Sequence, residues 1–191
     1  MQTVRSFGVL LVALAMAGCG ETDPTVGPEV APDPSLRSGN QGHHVVVEVK
    51  GRADHTRTVG DVTALTLFRF HMKQKANGRT SGRYYYNFQA AGFAVRGPVT
   101  CVTVNGNQAW IGGTVESVDS PDPDRQSLVG LDMWWRSVDN GQGHGAVPDS
   151  TTGLGFAFAG GTITAESWCN DQPALLVIRE VERGNIKVRS R

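Results

Sequence analysis

The fold class this chain predicts is all-β: a single antiparallel β-sandwich or barrel of about nine strands. Three observations predict it. Apolar side chains recur with a period of two in several strand-length runs. Asn-Gly, Gly and Pro punctuation separates those runs at short intervals. No segment of useful length carries the 3.6-residue period of an amphipathic helix. A glycine count of 24 in 191 residues suits a turn-rich β chain.

The first element in the chain precedes that fold. Arg5 is followed by an apolar run over residues 7–17, shorter than the roughly 20 residues that span a bilayer. A basic start, a short apolar core and small residues after it describe a signal peptide over residues 1–18. Its end, Met16-Ala17-Gly18-Cys19, resembles the bacterial lipobox, with Met where Leu is usual. The resemblance implies a lipoprotein: a diacylglyceryl group on the Cys19 sulfur, cleavage before Cys19, and acylation of the new amine by a fatty acid such as palmitate. Several acyl chains together give stable membrane retention where one gives only a marginal anchor. The implied address is the bacterial cell envelope, with the membrane as a partner through the lipid. Gly20, where Asp would favour the inner membrane, implies the outer membrane if the host is Gram-negative.

Residues 19–42 follow as the lipidated Cys19 and a tether. Pro24, Pro28, Pro32 and Pro34 alternate with Glu21, Asp23, Glu29 and Asp33 against a single Arg37. Such a segment buries too little apolar surface to offset its ordering entropy, so it reads as disordered and semi-extended. Residues 43–191 are the right length for one β domain with one core.

Within that domain, residues 44–50 (HVVVEVK) read as a first strand. Residues 63–75 alternate strongly: Phe68, Phe70 and Met72 face one way, Arg69, His71 and Lys73 the other. Asn77-Gly78 and Gly82 read as the turn into a strand with Tyr84, Tyr86 and Phe88 on one face and Tyr85 and Asn87 on the other. Gly92 marks the next reversal. In VTCVTVNGNQAWIGG, Asn105-Gly106 reads as a type I′ hairpin turn, which needs positive φ at both central residues. That register sets Val104 opposite Asn107, Val102 opposite Ala109 and Cys101 opposite Trp110. One face then holds Val102, Val104, Ala109 and Ile111, and the other Val99, Cys101, Thr103 and Trp110. Further on come an acidic loop at 119–125, a strand at 128–138, a Gly-rich loop at 140–150, and weaker strands at 153–159 and 162–168 about Gly160-Gly161. Residues 175–181 and 185–189 read as a closing hairpin across Arg183-Gly184.

With Cys19 assigned to lipid, Cys101 and Cys169 are the two remaining thiols, and in an oxidising compartment they most simply form one disulfide. Trp110 is expected to pack on it. The alternating Phe strand, the tyrosine strand, VTCVTVNGNQAWIGG, the VDNG loop, a late Cys and the closing GNIKVR resemble small exported β domains of bacterial lipoproteins and cell-surface proteins. The resemblance spans about residues 60–191; it implies a fold and an address and carries over no active site.

Chemistry-bearing motifs are sparse. His43, His44, His55, His71 and His144 form no His-x-x-x-His or His-x-His, so exposed histidine outweighs a zinc site. Pro121 and Pro123 interrupt Asp119, Asp122 and Asp124, which favours a surface turn over calcium. No serine sits in Gly-x-Ser-x-Gly. The sequence therefore predicts neither catalytic residues nor a metal or cofactor. Eighteen basic against eighteen acidic residues give zero formal charge, which speaks against a nucleic-acid partner. The candidate ligand surface is Asp132, Trp134 and Arg136, where alternation sets a flat aromatic between charges; the plainer reading is a Trp covering the wall with Arg136 stacked on it. The leading expectation is a monomeric, non-enzymatic, lipid-anchored β domain that binds or scaffolds an envelope glycan or protein. One rival is an enzyme on an envelope polymer, its site built from loops 119–125 and 139–150. Another is a barrel carrying a small apolar ligand.

Overall fold

The computed structural model describes residues 42–143, 145–158, 161–174 and 177–191. The expected signal peptide, Cys19 and all of the expected tether but Gly42 lie outside the described residues, as do His144 and Gly160. The domain is all-β. Its strands are β1 (Val45–Val59), β2 (Val62–Lys75), β3 (Thr80–Phe88), β4 (Phe93–Asn105), β5 (Gln108–Thr114), β6 (Ser117–Asp119), β7 (Asp132–Val138), β8 (Ser150–Thr152), β9 (Gly155–Phe156), β10 (Ile178–Glu180) and β11 (Arg183–Ser190). They form one antiparallel sheet in the order β10-β8-β7-β5-β4-β3-β2-β1-β11, with β6 paired to β4 and β9 to β7. The sheet curls into a half-barrel around a single main core.

The alternation in β2 and β3 does what the side-chain period demands. Phe68, Phe70, Met72, Tyr84, Tyr86 and Phe88 point into the core, while Arg69, His71, Lys73 and Tyr85 face solvent. Trp135 fills the centre: its ring lies 5.1 Å from Phe68, 5.6 Å from Phe70 and 5.7 Å from Tyr84, centroid to centroid. Val49, Ile111, Met133 and Ile186 complete the packing. Burial pushes the Tyr84 and Tyr86 phenols above their ordinary range; Glu116 adds to the effect at Tyr84, and the Arg57 hydrogen bond opposes it at Tyr86. The unfolded chain ionises these groups near pH 10, about their ordinary value, while the folded chain holds them neutral. Their contribution to stability is therefore complete below about pH 10 and declines as the pH rises further. Urea unfolding between pH 8 and 11 is expected to show that decline, and Tyr84→Phe to flatten it.

Several boundaries differ from the sequence expectation, each for a local reason. The first strand runs on to Val59 rather than stopping at Lys50. Gly82 lies inside β3, not in a turn; an added Cβ there would sit 2.6 Å from the Met72 Cα, so the two strands meet at close range. The central hairpin turns one residue later than Asn105-Gly106. Asn105 pairs with Gln108, Val102 with Ile111, Thr103 with Trp110 and Cys101 with Gly112. Gly106 alone takes positive φ (60°), the pattern of a type II′ turn. Asn107 is held instead by the end of β7, its Nδ2 donating to the Asp139 carbonyl (2.9 Å) and its carbonyl accepting from the Asp139 N–H (2.9 Å). A bulge between Val99 and Cys101 turns Val99 into the main core, away from Cys101.

Strand β7 starts at Asp132, because Leu128 closes a 3-10 helix (Pro123–Leu128) whose first turn Asp122 caps. Residues 162–168 hold no strand. They lead into α1 (Ala165–Asp171), capped by reciprocal Thr164 and Ser167 side-chain bonds. The closing hairpin is also absent. β10 pairs with β8 and β11 with β1, at opposite ends of the sheet path. Between them the Val181 N–H donates to the Asp149 carbonyl (2.8 Å) and the Glu182 N–H to the Asp54 carbonyl (2.9 Å). Side chains finish that seam: Asp149 accepts from the Ile186 N–H (2.6 Å) and Asp139 from the Val188 N–H (2.9 Å), so carboxylates take the place of a ladder along β11.

Candidate binding face

The predicted ligand surface is covered. Trp134 is only 6 % exposed and stacks on Trp168 of α1, centroids 6.1 Å apart and planes 29° apart. Gly155 of β9 lies so close to the Trp134 indole that a Cβ there would collide with it. Asp132 accepts from the Ala165 N–H (3.0 Å), and the Arg136 guanidinium sits 5.9 Å from the Trp110 ring. Asp132 and Trp134 therefore hold the helix on the sheet, and Arg136 lies over Trp110 beside them. The cause is α1, which the sequence reading took for a strand. The Cys101–Cys169 disulfide is formed and ties the same helix to β4. Trp110 joins the Trp134–Trp168 cluster, donates its indole N–H to the Pro173 carbonyl (3.0 Å), and sets its own carbonyl 3.6 Å from Cys169 Sγ.

The loops proposed for an envelope enzyme are committed to structure. Asp122 caps the 3-10 helix, Arg125 lies 4.7 Å over the Phe93 ring, and Asp139 and Asp149 bind β11 amides. Among the described residues no three His, Cys, Asp or Glu side chains converge as metal ligands would. Of the histidines, His71 is exposed on the sheet and His55 is buried, contrary to the expectation of exposure.

The open candidate surface is the outer face of β11-β1-β2-β3-β4. Register builds it from residues that no sequence window joins. One cross-strand row reads Lys187, Lys50, His71, Arg83. The next reads Asn185, Arg52, Arg69, Tyr85, Arg96, Ser117. A third sets Glu48 between Arg189 and Lys73. Lys50–Lys187 and Arg52–Arg69 are like charges directly opposite one another, an arrangement that destabilises a sheet. The acids present are few. Glu48 accepts from His71 (3.1 Å) and lies 3.9 Å and 3.8 Å from Lys50 and Lys73; the His71 hydrogen bond first, then these lysines, hold its carboxyl below the usual range. Glu116 pairs with Arg83, and the buried Asp54 with Arg52 at 2.6 Å. Arg69, Lys187 and Arg189 make no ion pair among the described residues.

Two grooves flank this array. One, of about 380 Å3, lies among Lys50, Arg52, Arg69, His71, Asn185 and Lys187. The other, of about 350 Å3, runs past Tyr85, Arg96, Ser117 and Asp119. Tyr85 stands 36 % exposed between Arg69 and Arg96, its hydroxyl accepting from Asn87 Nδ2 (3.2 Å). The zero formal charge thus hides a one-sided distribution, and it gives no ground for excluding a polyanionic partner. The signal was present as basic residues at alternate positions 50 and 52, 69, 71 and 73, and 187 and 189; strand pairing was needed to gather them.

Fold and face together define a curled antiparallel β domain with a basic outer wall. No protein family, curated protein or solved structure matches the chain.

Proposed function

We propose that this chain is a lipid-anchored domain of the bacterial cell envelope that binds an anionic envelope glycan on its basic outer wall and catalyses no reaction on it. The observation that carries the reading is the row Arg52, Arg69, Tyr85, Arg96. Guanidinium groups match carboxylates in planar, bidentate geometry, and an aromatic between them offers a flat face to a sugar ring. The like-charge pairs are unfavourable without a ligand, and a polyanion would turn them into an attraction. The filled interior supports surface binding over carriage of an apolar ligand, which needs a cavity of roughly 300 Å3 or more. The anchor rests on the lipobox resemblance at Met16-Ala17-Gly18-Cys19.

Retention of the full chain on immobilised polygalacturonate tests the reading, with dextran as the neutral control. Wild type is expected to bind the uronate polymer, less tightly as salt rises, and not to bind dextran. Arg69→Gln and Arg96→Gln are each expected to weaken binding about tenfold, the loss of one charge-assisted hydrogen bond. Tyr85→Ala is expected to weaken it without changing the salt dependence. Equal retention on single-stranded DNA, or Tyr85→Ala without effect, would overturn the glycan assignment. Fatty-acid labelling that survives Cys19→Ala would overturn the anchor.

A further inference from the structure

The inner side of the barrel is apolar along most of its length, but one end is not. His55 on β1 pairs with Thr66 on β2, and both are almost fully buried, at 1 % and 0 % exposure. His55 Nδ1 lies 3.3 Å from the Ala53 carbonyl, so in the neutral ring it donates there and leaves Nε2 as a bare acceptor. Neither Nε2 nor Thr66 Oγ1 has a hydrogen-bond partner among the described residues. Burial pushes the imidazole below its ordinary range, and the nearby Arg179 and Arg57 push it further, against the Ala53 bond and Glu182. Two buried polar atoms left unpaired are costly for a core and make this end of the interior polar.

Arg57 is the next residue along β1 on the same face, about 7 Å on, where the barrel opens. Its guanidinium lies 4.1 Å from the centre of the Phe88 ring, and its Nη1 donates to the Tyr86 hydroxyl (3.2 Å). Arg179 comes from β10, on the other side of the seam. With Gly153, Leu154 and Val177 the two arginines line an open pocket of about 180 Å3. Neither arginine makes an ion pair among the described residues. The nearby acid, Glu182, is occupied by the Thr56 N–H (2.6 Å) and hydroxyl (2.8 Å).

We propose that Arg57 and Arg179 form a second binding site, separate from the outer wall, which takes a single phosphate group at the mouth of the barrel. The pocket is too small for a sugar ring with its substituents, since sites for drug-sized ligands start at about 300 Å3. Two arginines lining one small pocket offer charge and donors that match a compact dianion. The phenol of Tyr86, held by Arg57, lies behind Gly153 of the pocket wall. A role in packing alone accounts for Arg57, which covers Phe88, but leaves Arg179 without an ion-pair partner among the described residues.

Titration of the full chain with inorganic phosphate, followed calorimetrically and by phosphorus NMR line width, tests the site. Saturable binding at one equivalent is expected. Arg179→Gln is expected to weaken it tenfold or more while leaving the fold intact, since β10 contributes only three residues to the sheet. Arg57→Lys keeps the charge and loses the fork, and a smaller loss is expected. Arg52→Gln combined with Arg69→Gln is expected to leave the phosphate affinity unchanged, which separates this site from the outer wall. The proposal is overturned if wild type shows no saturable binding, if acetate binds as tightly as phosphate, or if the outer-wall variant loses phosphate while Arg179→Gln retains it.

Discussion

Trp135→Ala is expected to cost about 3–5 kcal/mol of folding free energy, the range for truncating a large aromatic in a packed core. Trp135 is wholly buried and touches the aromatic groups of three neighbours on β2 and β3. Its indole N–H donates to Ser137 Oγ (3.2 Å), a buried hydrogen bond that alanine would remove. The backbone around it is fixed as well, because its carbonyl accepts from the Trp168 indole (2.9 Å). The wall is therefore unable to collapse freely into the space. Against a typical domain stability of about 5–15 kcal/mol, the variant would stand near the edge of folding. Urea denaturation at neutral pH measures it. A loss under about 1 kcal/mol would mean that the core refills, in conflict with the packing described.

Replacing both Cys101 and Cys169 by alanine is expected to remove about 4 kcal/mol on the chain-entropy account, since the bridge closes a long loop. The two cysteines are 68 residues apart. The local consequence matters as much as the global one. Helix α1 has seven residues, well below the roughly 12 needed for marginal stability alone. It is held by the disulfide, the Trp134–Trp168 stack and the Asp132 bond to its first turn. Without the bridge, α1 is expected to open before the main core, shifting tryptophan emission to the red at urea concentrations where the sheet persists. Coincident transitions by fluorescence and far-ultraviolet circular dichroism would show that the helix and the sheet form one cooperative unit instead.

The fold class was legible because period-two alternation survives any choice of partner. Phe68, Phe70 and Met72 face the core whichever strands lie beside them. The pairing of Cys101 with Cys169 was legible by count. What escaped depended on partners distant in sequence. The Asn105-Gly106 turn slipped by one residue because Asp139 holds Asn107. Helix α1 escaped because Thr164 and Ser167 make a capping box from a variant of the usual pattern, within a segment whose apolar residues also suit a strand. The outer wall escaped for the same reason: Lys50, Arg69 and Arg96 become neighbours only through register, and totals of charge are blind to sidedness. Of the buried polar pair, Thr66 shares the face of Phe68 and Phe70 in the alternation of residues 63–75, but His55 had no signal, since residues 51–59 carried no strand assignment to place it.

The pairing of β1 with β11 also governs when the domain can finish folding. Val47 lies opposite Ser190, and the Arg191 amide donates to the Val46 carbonyl. Strand β1 therefore lacks this neighbour until β11 is made, and the carboxylates of Asp139 and Asp149 have no amides to hold until β11 arrives. Contacts of such long sequence separation are slow to form, because loop closure must precede any gain from them. The seam between β1 and β11 is therefore expected to be among the last parts of the sheet to form.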